Sequence, residues 1–392
     1  MDQSELWATL RTRWGRRPLE VIESPLAVGV DESLIWKALV DGASNRERYP
    51  DFTLRVTLDN HPLAIDAEAA YLPVESDTGL DGYLKRIDDQ SGSSPWSVAA
   101  SGIHTVSSAL WDRARDFAND VRHELGVQPL GHVDMDIFMG HYQSTSVGIH
   151  QDFAHNFSFT LRGPKYLLTW PSKMGNKIPK RTLNYDSIRE SATVLHGVPG
   201  GMTYFPSDEF HIGESPTRPT VAVNFALFET QNSVSEAMYS LQQVVEPPTE
   251  LAPSTGDGTS INPAAVRAIF AQLAQALDSG AAERAATARW MTSMTSFQLD
   301  VERPGADVPA ADSDRVGLRP EALLVFADDP TDKEQLLVSS QGYVAAVSNQ
   351  LSVVTWLQEV AAGVTYAVSG IPEDCAALHN LLVDWGALDA AS

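Results

Sequence analysis

The sequence predicts an α+β chain, mainly β with helices. Its centre is an antiparallel double β-sheet, either a jelly roll or a barrel. A helical segment and a winged-helix-like tail follow. Three observations predict this. Between residues 127 and 230 the apolar residues fall into many short runs, separated by Gly, Pro, Asn and Ser. One amphipathic helix precedes that block. A Pro-, Ser-, Thr- and Gly-rich stretch, Glu246 to Pro263, follows it and reads as a linker.

Each element has a local reason. Residues 1–126 read as a mixed segment packing on the sheets. "DESLIWKALVDG" (31–42) is helical and "FTLRVTLD" (52–59) strand-like. "VSSALWDRARDFANDVRHELG" repeats Leu110, Ala114, Phe117, Val121 and Leu125 at helical spacing, and Gly126 stops it. The β-rich core, 127–245, holds "HVDMDIFMGHY", "SVGIHQD", "NFSFTLRG", "KYLLTWP", "TVLHGVPG", "MTYFPSDEFHIGES" and "PTVAVNFALFET" as successive strands. Residues 246–262 are the linker. Residues 263–335 open on a helix with Asn262 as its cap and Pro263 in its first turn. Residues 336–392 read strand, strand, helix, helix, the order of a winged-helix-like module. The tail suggests a homodimer.

Composition narrows the function. A hydrophobic fraction of 43% and a charged fraction of 20% are those of a globular chain with a sizeable core. The formal net charge of -23 repels phosphate backbones and anionic lipid, so neither nucleic acid nor membrane is an expected partner. The tail sharpens this. From residue 231 onward there are 21 acidic and 7 basic side chains, and the last helix carries Glu373, Asp374 and Asp384 without a cation, so a protein-contact role is expected of it. The single cysteine, Cys375, allows no internal disulfide. No apolar run has signal-peptide or membrane-spanning length. A cytoplasmic protein is the expectation.

One constellation carries chemistry. In "GHYQSTSVGIHQDFAHNFSFTLRGPKYLLTWP", His150 and Asp152 are two apart on a predicted strand, so both project to one face. His211 in "FPSDEFHIGES" supplies a third ligand from another strand. His196, just before "GVPGG", is the runner-up for that place. Two imidazoles and one carboxylate on one face form the facial triad of mononuclear non-haem Fe(II) sites; the set also accepts Mn(II), Co(II) or Zn(II). By itself, HxD is common and more often describes a surface His beside a solvated Asp. Lys165 sits in the apolar run "LRGPKYLLTWP", where a buried cation calls for an anionic partner.

Further features form a resemblance. Asn156 lies six residues after His150 and Lys165 fifteen after it. "GVPGGMTYFPSDEFH" joins a Pro-Gly turn, an aromatic strand and the second His, and Asn224 follows in "TVAVNFALFE". In these respects residues 140–228 resemble the JmjC-type (cupin-like) Fe(II)- and 2-oxoglutarate-dependent oxygenases, of the ribosomal-oxygenase or peptide-hydroxylase kind. The resemblance implies a double-stranded β-helix and metal ligands His150, Asp152 and His211. It implies a 2-oxoglutarate site with Lys165 on the distal carboxylate and Asn156 and Asn224 nearby. Where the family has a Thr, three residues before the first His, this chain has Val147; Tyr142, Thr145 or Ser146 stands in as co-substrate contact. Glu209 and Phe210 replace a frequent pair of Trp. The substrate-side candidates are His155, Asp208 and Glu209. The implied reaction uses Fe(II), 2-oxoglutarate and O2, yields succinate and CO2, and hydroxylates a side chain of a protein or peptide, a natural-product precursor peptide included. A free amino acid or small molecule is the alternative substrate, and a non-catalytic cupin binding module the alternative role.

Overall fold

The computed structural model of the protein describes residues 1–92, 94–127, 131–228, 233–245, 263–305 and 315–390. The expected linker 246–262, with its cap Asn262, lies outside the described residues. The chain divides into two compact units, Met1–Thr230 and Gln231–Ser392.

The first unit is built on one large antiparallel sheet system. Its N-terminal part supplies α1 (Gln3–Arg13), β1 (Leu19–Val21), α2 (Glu32–Ser44), β2 (Thr53–Leu58), β3 (His61–Pro62), α3 (Ile65–Glu68), α4 (Leu80–Ser91), β4 (Trp96–Ser101) and α5 (Ser108–Leu125). The core strands are β5 (Val133–Tyr142), β6 (Ala154–Arg162), β7 (Lys165–Trp170), β8 (Thr193–Gly197), β9 (Met202–Phe205) and β10 (Phe210–Phe228), with α6 (Asp186–Arg189) between β7 and β8. The order is β1-β9-β6-β10-β5-β4-β2-β3, and β7 pairs with both β10 and β8. Residues 1–126 therefore extend the core sheet itself, through β1 at one edge and β4, β2 and β3 at the other.

β10 serves two sheets. Its first part, Phe210 to Glu214, pairs with β7. Its second part, from Thr220, pairs with β5 and β6. The register breaks between Ser215 and Thr220, where "SPTRPT" places two prolines that cannot donate to a ladder. The single strand expected over "MTYFPSDEFHIGES" is two strands for a similar reason. β9 pairs with β6 while β10 pairs with β7, and Pro206 to Glu209 turns the corner.

Alternation sorts the side chains. On β5, Val133, Met135, Ile137 and Met139 are fully buried on one face. α5 covers that side: Phe117 meets Phe225 at 4.3 Å between ring centroids and packs edge-on against Phe157 and Phe159. Gly126, at φ +65°, ends α5 in the left-handed cap predicted for it. Burying one such Phe stabilises by roughly 2–3 kcal/mol. The opposite face lines the interior between the two sheets. There the register sets Asp136, Asn224, Ser158 and Thr203 in one layer across β5, β10, β6 and β9.

The second unit contains α7 (Ser233–Val244), α8 (Pro263–Asp278) and α9 (Ala281–Thr295). Leu241, Ala276 and Ala282 bury their contact. α7 thus belongs with these helices, whereas the sequence reading carried the β core to residue 245. Beyond them come β11 (Arg315–Leu318), β12 (Leu324–Asp329), β13 (Asp332–Ser340), β14 (Tyr343–Ser348), α10 (Leu351–Ala361), β15 (Tyr366–Ala367), α11 (Ala376–Asp384) and β16 (Leu388–Ala390). β12, β13 and β14 form one three-stranded sheet, and β11 sits between β15 and β16 in another. Their shared core includes Leu336, Val338, Val353, Leu357, Val360 and Leu382. No helix of the described residues is long and apolar enough to cross a membrane.

Candidate metal centre

His150, Asp152 and His211 converge, with one ligand atom from each lying within 4.8 Å of the others. Asp152 Oδ1 is 3.2 Å from His150 Nε2, and Oδ2 is 3.2 Å from His211 Nε2. The element differs from the predicted strand. His150 is held by an isolated bridge to His211, N–H to C=O in both directions at 3.2 and 2.9 Å. Phe153, at φ +57°, then turns the chain into β6. Gln151, between the ligands, donates from Nε2 to the Asp208 carbonyl at 2.6 Å and ties the two ligand segments together.

The imidazoles are oriented for a cation. His150 Nδ1 lies 2.8 Å from the Gly148 carbonyl and His211 Nδ1 lies 3.3 Å from the Glu209 carbonyl. A carbonyl only accepts, so each Nδ1 carries the proton. That leaves both Nε2 lone pairs facing the Asp152 carboxylate, an arrangement that needs a positive centre among them. Gly148 makes this possible. Its φ is +67°, and a Cβ there would lie 2.4 Å from the Thr182 carbonyl oxygen. The donor set and its orientation fit a divalent metal of the facial-triad type.

Electrostatics agree. Burial alone would raise the Asp152 carboxyl, yet the His150 and His211 rings beside it hold it well below the usual carboxylate range. Burial lowers the His211 ring, against Asp152. At His150, nearer solvent, burial is outweighed by Asp152 and the ring is raised.

Lys165 opens β7 on the same interior and is 3% exposed. Its ammonium donates to Asn224 Oδ1 and Ser158 Oγ, both at 3.3 Å, and lies 4.9 Å from the Phe138 ring centroid. Burial pushes it down to about 7, against the pull of the Asp136 carboxylate. Asp136 is itself pushed up by burial and by Asp134, and its Oδ1 has no hydrogen-bond partner among the described residues. Between His211 and Lys165 the wall is Gly213. A Cβ there would lie 3.7 Å from the Tyr142 hydroxyl and 3.9 Å from Lys165 Cε. Glycine thus leaves open the space that separates the triad from the ammonium. The buried hydroxyl oxygens of Thr160 and Thr203 have no hydrogen-bond partner among the described residues. Leu167, Leu195 and Phe205 supply an apolar part.

The other predicted residues divide. Asn156 is buried, donates to the Ala154 carbonyl, and pairs across with Phe205, whose ring meets His211 at 4.4 Å. Tyr142 is buried with its hydroxyl near the Gly213 wall. Thr145 and Ser146 lie in the loop before His150, and Ser146 Oγ accepts from Thr57 at 3.5 Å. Asp208 and Glu209 form the corner before His211. His155 is corrected: it alternates to the α5 side of β6, 4% exposed, stacked under Trp14 at 3.9 Å and 3.0 Å from the Tyr204 hydroxyl. It faces away from the metal centre. The runner-up His196 is half exposed, pairs with Glu20 and is not in the metal cluster. Ser158, Asp136 and Gly213 went unread. Period-two alternation from Asn156 and from His211 would have found Ser158 and Gly213.

No family model matches the chain, and no curated protein sequence matches it. Among solved structures, the DMSP lyase DddQ from Ruegeria pomeroyi is 16% identical over 26% of this chain and 41% of its own, with a TM-score of 0.18. Over 98% of its length the chain is similar to Escherichia coli YcfD, at 11% identity, 97% coverage of that chain and a TM-score of 0.48. A second structure, YcfD as a ribosomal oxygenase in complex with cobalt and 2-oxoglutarate, matches at 11% identity over 98% of this chain and 97% of that chain, with a TM-score of 0.45.

Proposed function

We propose that the protein is an Fe(II)- and 2-oxoglutarate-dependent dioxygenase that hydroxylates a side chain of a protein or peptide. One observation carries this reading. A two-His, one-carboxylate set shares an interior with a buried ammonium that hydrogen-bonds to the uncharged Asn224 and Ser158 side chains, and Gly213 lies between them.

His150, Asp152 and His211 would hold the metal. Bound there, Fe(II) with 2-oxoglutarate and O2 supplies the oxidising power for hydroxylation. The chain's own residues bind and orient. The Lys165 ammonium, steadied by Asn224 and Ser158, takes the distal carboxylate of the keto acid. The Tyr142, Thr160 and Thr203 hydroxyls offer donors along the way. Leu167, Leu195 and Phe205 keep water from the reacting region. A non-catalytic cupin would not need the ammonium and the triad together.

In this reading residues 127–228 form the catalytic core, with Fe(II) as metal and the cytoplasm as compartment. The second unit contributes a homodimer contact. Phe270 and Leu277 on α8 and Trp290 and Met294 on α9 are 46–67% exposed, apolar area suited to a second copy. The β13–β14–α10–α11 order supports a winged-helix-like module with a protein-contact role.

The test is succinate formation. Wild-type protein given Fe(II), 2-oxoglutarate and O2 is expected to form succinate slowly without prime substrate. His150→Ala and Asp152→Ala are expected to abolish it and to lose stoichiometric metal binding while circular dichroism stays unchanged. Succinate formed equally by both variants refutes the reading.

A further inference from the structure

Lys165 shares the far end of the interior with a carboxyl group. Its ammonium donates to Asn224 and Ser158, and Asn224 stands in register with Asp136 on the neighbouring strand β5. Phe138, two residues on from Asp136 and so on the same face, holds its ring centroid 4.9 Å from that ammonium. Asp136 and Phe138 both stay half-buried although β5 lies mid-sheet between β10 and β4, so the interior beside them is open. Asp136 Oδ1 is nonetheless shielded, and it has no hydrogen-bond partner among the described residues.

The groups that face this carboxyl are Asp134 on its own strand, Lys165 from β7 and Asp152 from the metal centre, with the Ser101 hydroxyl and Gly102 N–H at the end of β4 beside it. The His104 ring, just beyond β4, stands 3.6 Å from Asp134. Burial and Asp134 raise the Asp136 carboxyl, and burial lowers the ammonium. The two groups titrate as a pair. In a poorly solvated interior they hold one proton between them, wherever it sits, because the pair is then neutral. A carboxylate entering this space adds a negative charge. An ionised Asp136 would repel it, whereas a carboxyl kept neutral by its surroundings donates a hydrogen bond.

We infer that Asp136 is a positioning residue of the co-substrate site: one proton enters from solvent as 2-oxoglutarate binds, and Asp136, as a carboxylic acid, donates beside the Lys165 ammonium to the distal carboxylate. This rests on the oxygenase reading and deepens it. The charges balance. The empty pair holds one proton and is neutral; the filled site holds two, and the second offsets the carboxylate that has arrived.

The experiment titrates the full chain, loaded with Mn(II), with 2-oxoglutarate at pH 8 in buffers of different ionisation enthalpy. The dependence of the measured heat on that enthalpy counts the protons taken up. Both carboxyls of the ligand are already ionised at this pH, so it supplies none. Wild type is expected to take up about one proton per site. The infrared spectrum of the complex should hold a carboxylic-acid carbonyl band that is absent from the Asp136→Asn complex, a signature that a merely structural role would not produce. Asp136→Asn keeps a neutral donor in place and should hold most of the 2-oxoglutarate affinity. Asp136→Ala, with Mn(II) binding retained, should lose about tenfold or more, the range for a hydrogen bond to a charged group. Wild-type binding without proton uptake, an infrared band that persists in Asp136→Asn, or an Asp136→Ala affinity equal to wild type overturns the inference and leaves the oxygenase reading standing. A wild-type Mn(II) form that binds no 2-oxoglutarate overturns both.

Discussion

Replacing Lys165 with Met should move stability and ligand binding in opposite directions. A buried ammonium whose pKa falls from 10.5 to about 7 carries a folding cost of roughly 5 kcal/mol at neutral pH. The sign follows from proton counts. Between about 7 and 10.5 the unfolded chain holds this proton and the folded chain does not, so wild-type stability rises with pH across that window. Met keeps most of the stem and removes the charge. It also removes the donations to Asn224 and Ser158, at about 1–2 kcal/mol. The net expectation at pH 7 is a gain of about 3 kcal/mol. For a unit of this size that is a rise in Tm of about 6–12 °C. The gain should shrink as pH approaches 10. A redox-inert metal with 2-oxoglutarate at a hundred times its Kd should stabilise wild type by about 2.7 kcal/mol. Lys165→Met should show little of that second shift, because the distal carboxylate has lost its partner. Calorimetry with and without 2-oxoglutarate at several pH values reads both effects. A Lys165→Met protein that melts below wild type at pH 7, or that keeps the full 2-oxoglutarate shift, refutes the assignment of this ammonium.

Other perturbations separate the parts of the site. Gly213→Val should fill the gap between His211 and Lys165, so titration of the Mn(II) form should show 2-oxoglutarate affinity reduced at least about tenfold with metal binding retained. Metal affinity should fall as pH drops, because the metal needs neutral imidazoles and the raised His150 ring takes its proton above the usual histidine range. Isothermal titration at pH 6, 7 and 8 checks that sign, and an affinity independent of pH would contradict it. Tyr185 donates to the buried Glu214 at 2.6 Å, with Arg189 on the other carboxylate oxygen at 2.8 Å. Tyr185→Phe should therefore cost about 1–2 kcal/mol in a thermal melt while Zn(II) binding persists.

Much of the architecture was legible because it is local. Helix α5 announced itself through apolar residues at helical spacing and a glycine stop. The core strands announced themselves through short apolar runs between turn formers. What misled was pairing. A run of strand formers through Pro206 does not reveal that β9 and β10 belong to different partners. Nor does it reveal that β10 continues through two prolines into the second sheet. The N-terminal strands β1, β3 and β4 gave weak local signals because their stability comes from joining an existing sheet edge. In the second unit, β15 and β16 are two or three residues long and exist only through β11.

By itself, the sequence determined the ligand set. Two imidazoles and a carboxylate are metal chemistry, and the offsets to Asn156, Lys165 and Asn224 ordered the residues around them. Only the tertiary structure decided which side each residue serves. Alternation sent His155 under Trp14 and brought Asn224 and Ser158 to the ammonium. It also left Gly213 as open space and an oxygen of Asp136 without a partner among the described residues. The physical reason is that identity belongs to a residue, whereas burial and an unmet hydrogen bond are properties of its neighbours, and those come from strands far apart in the chain.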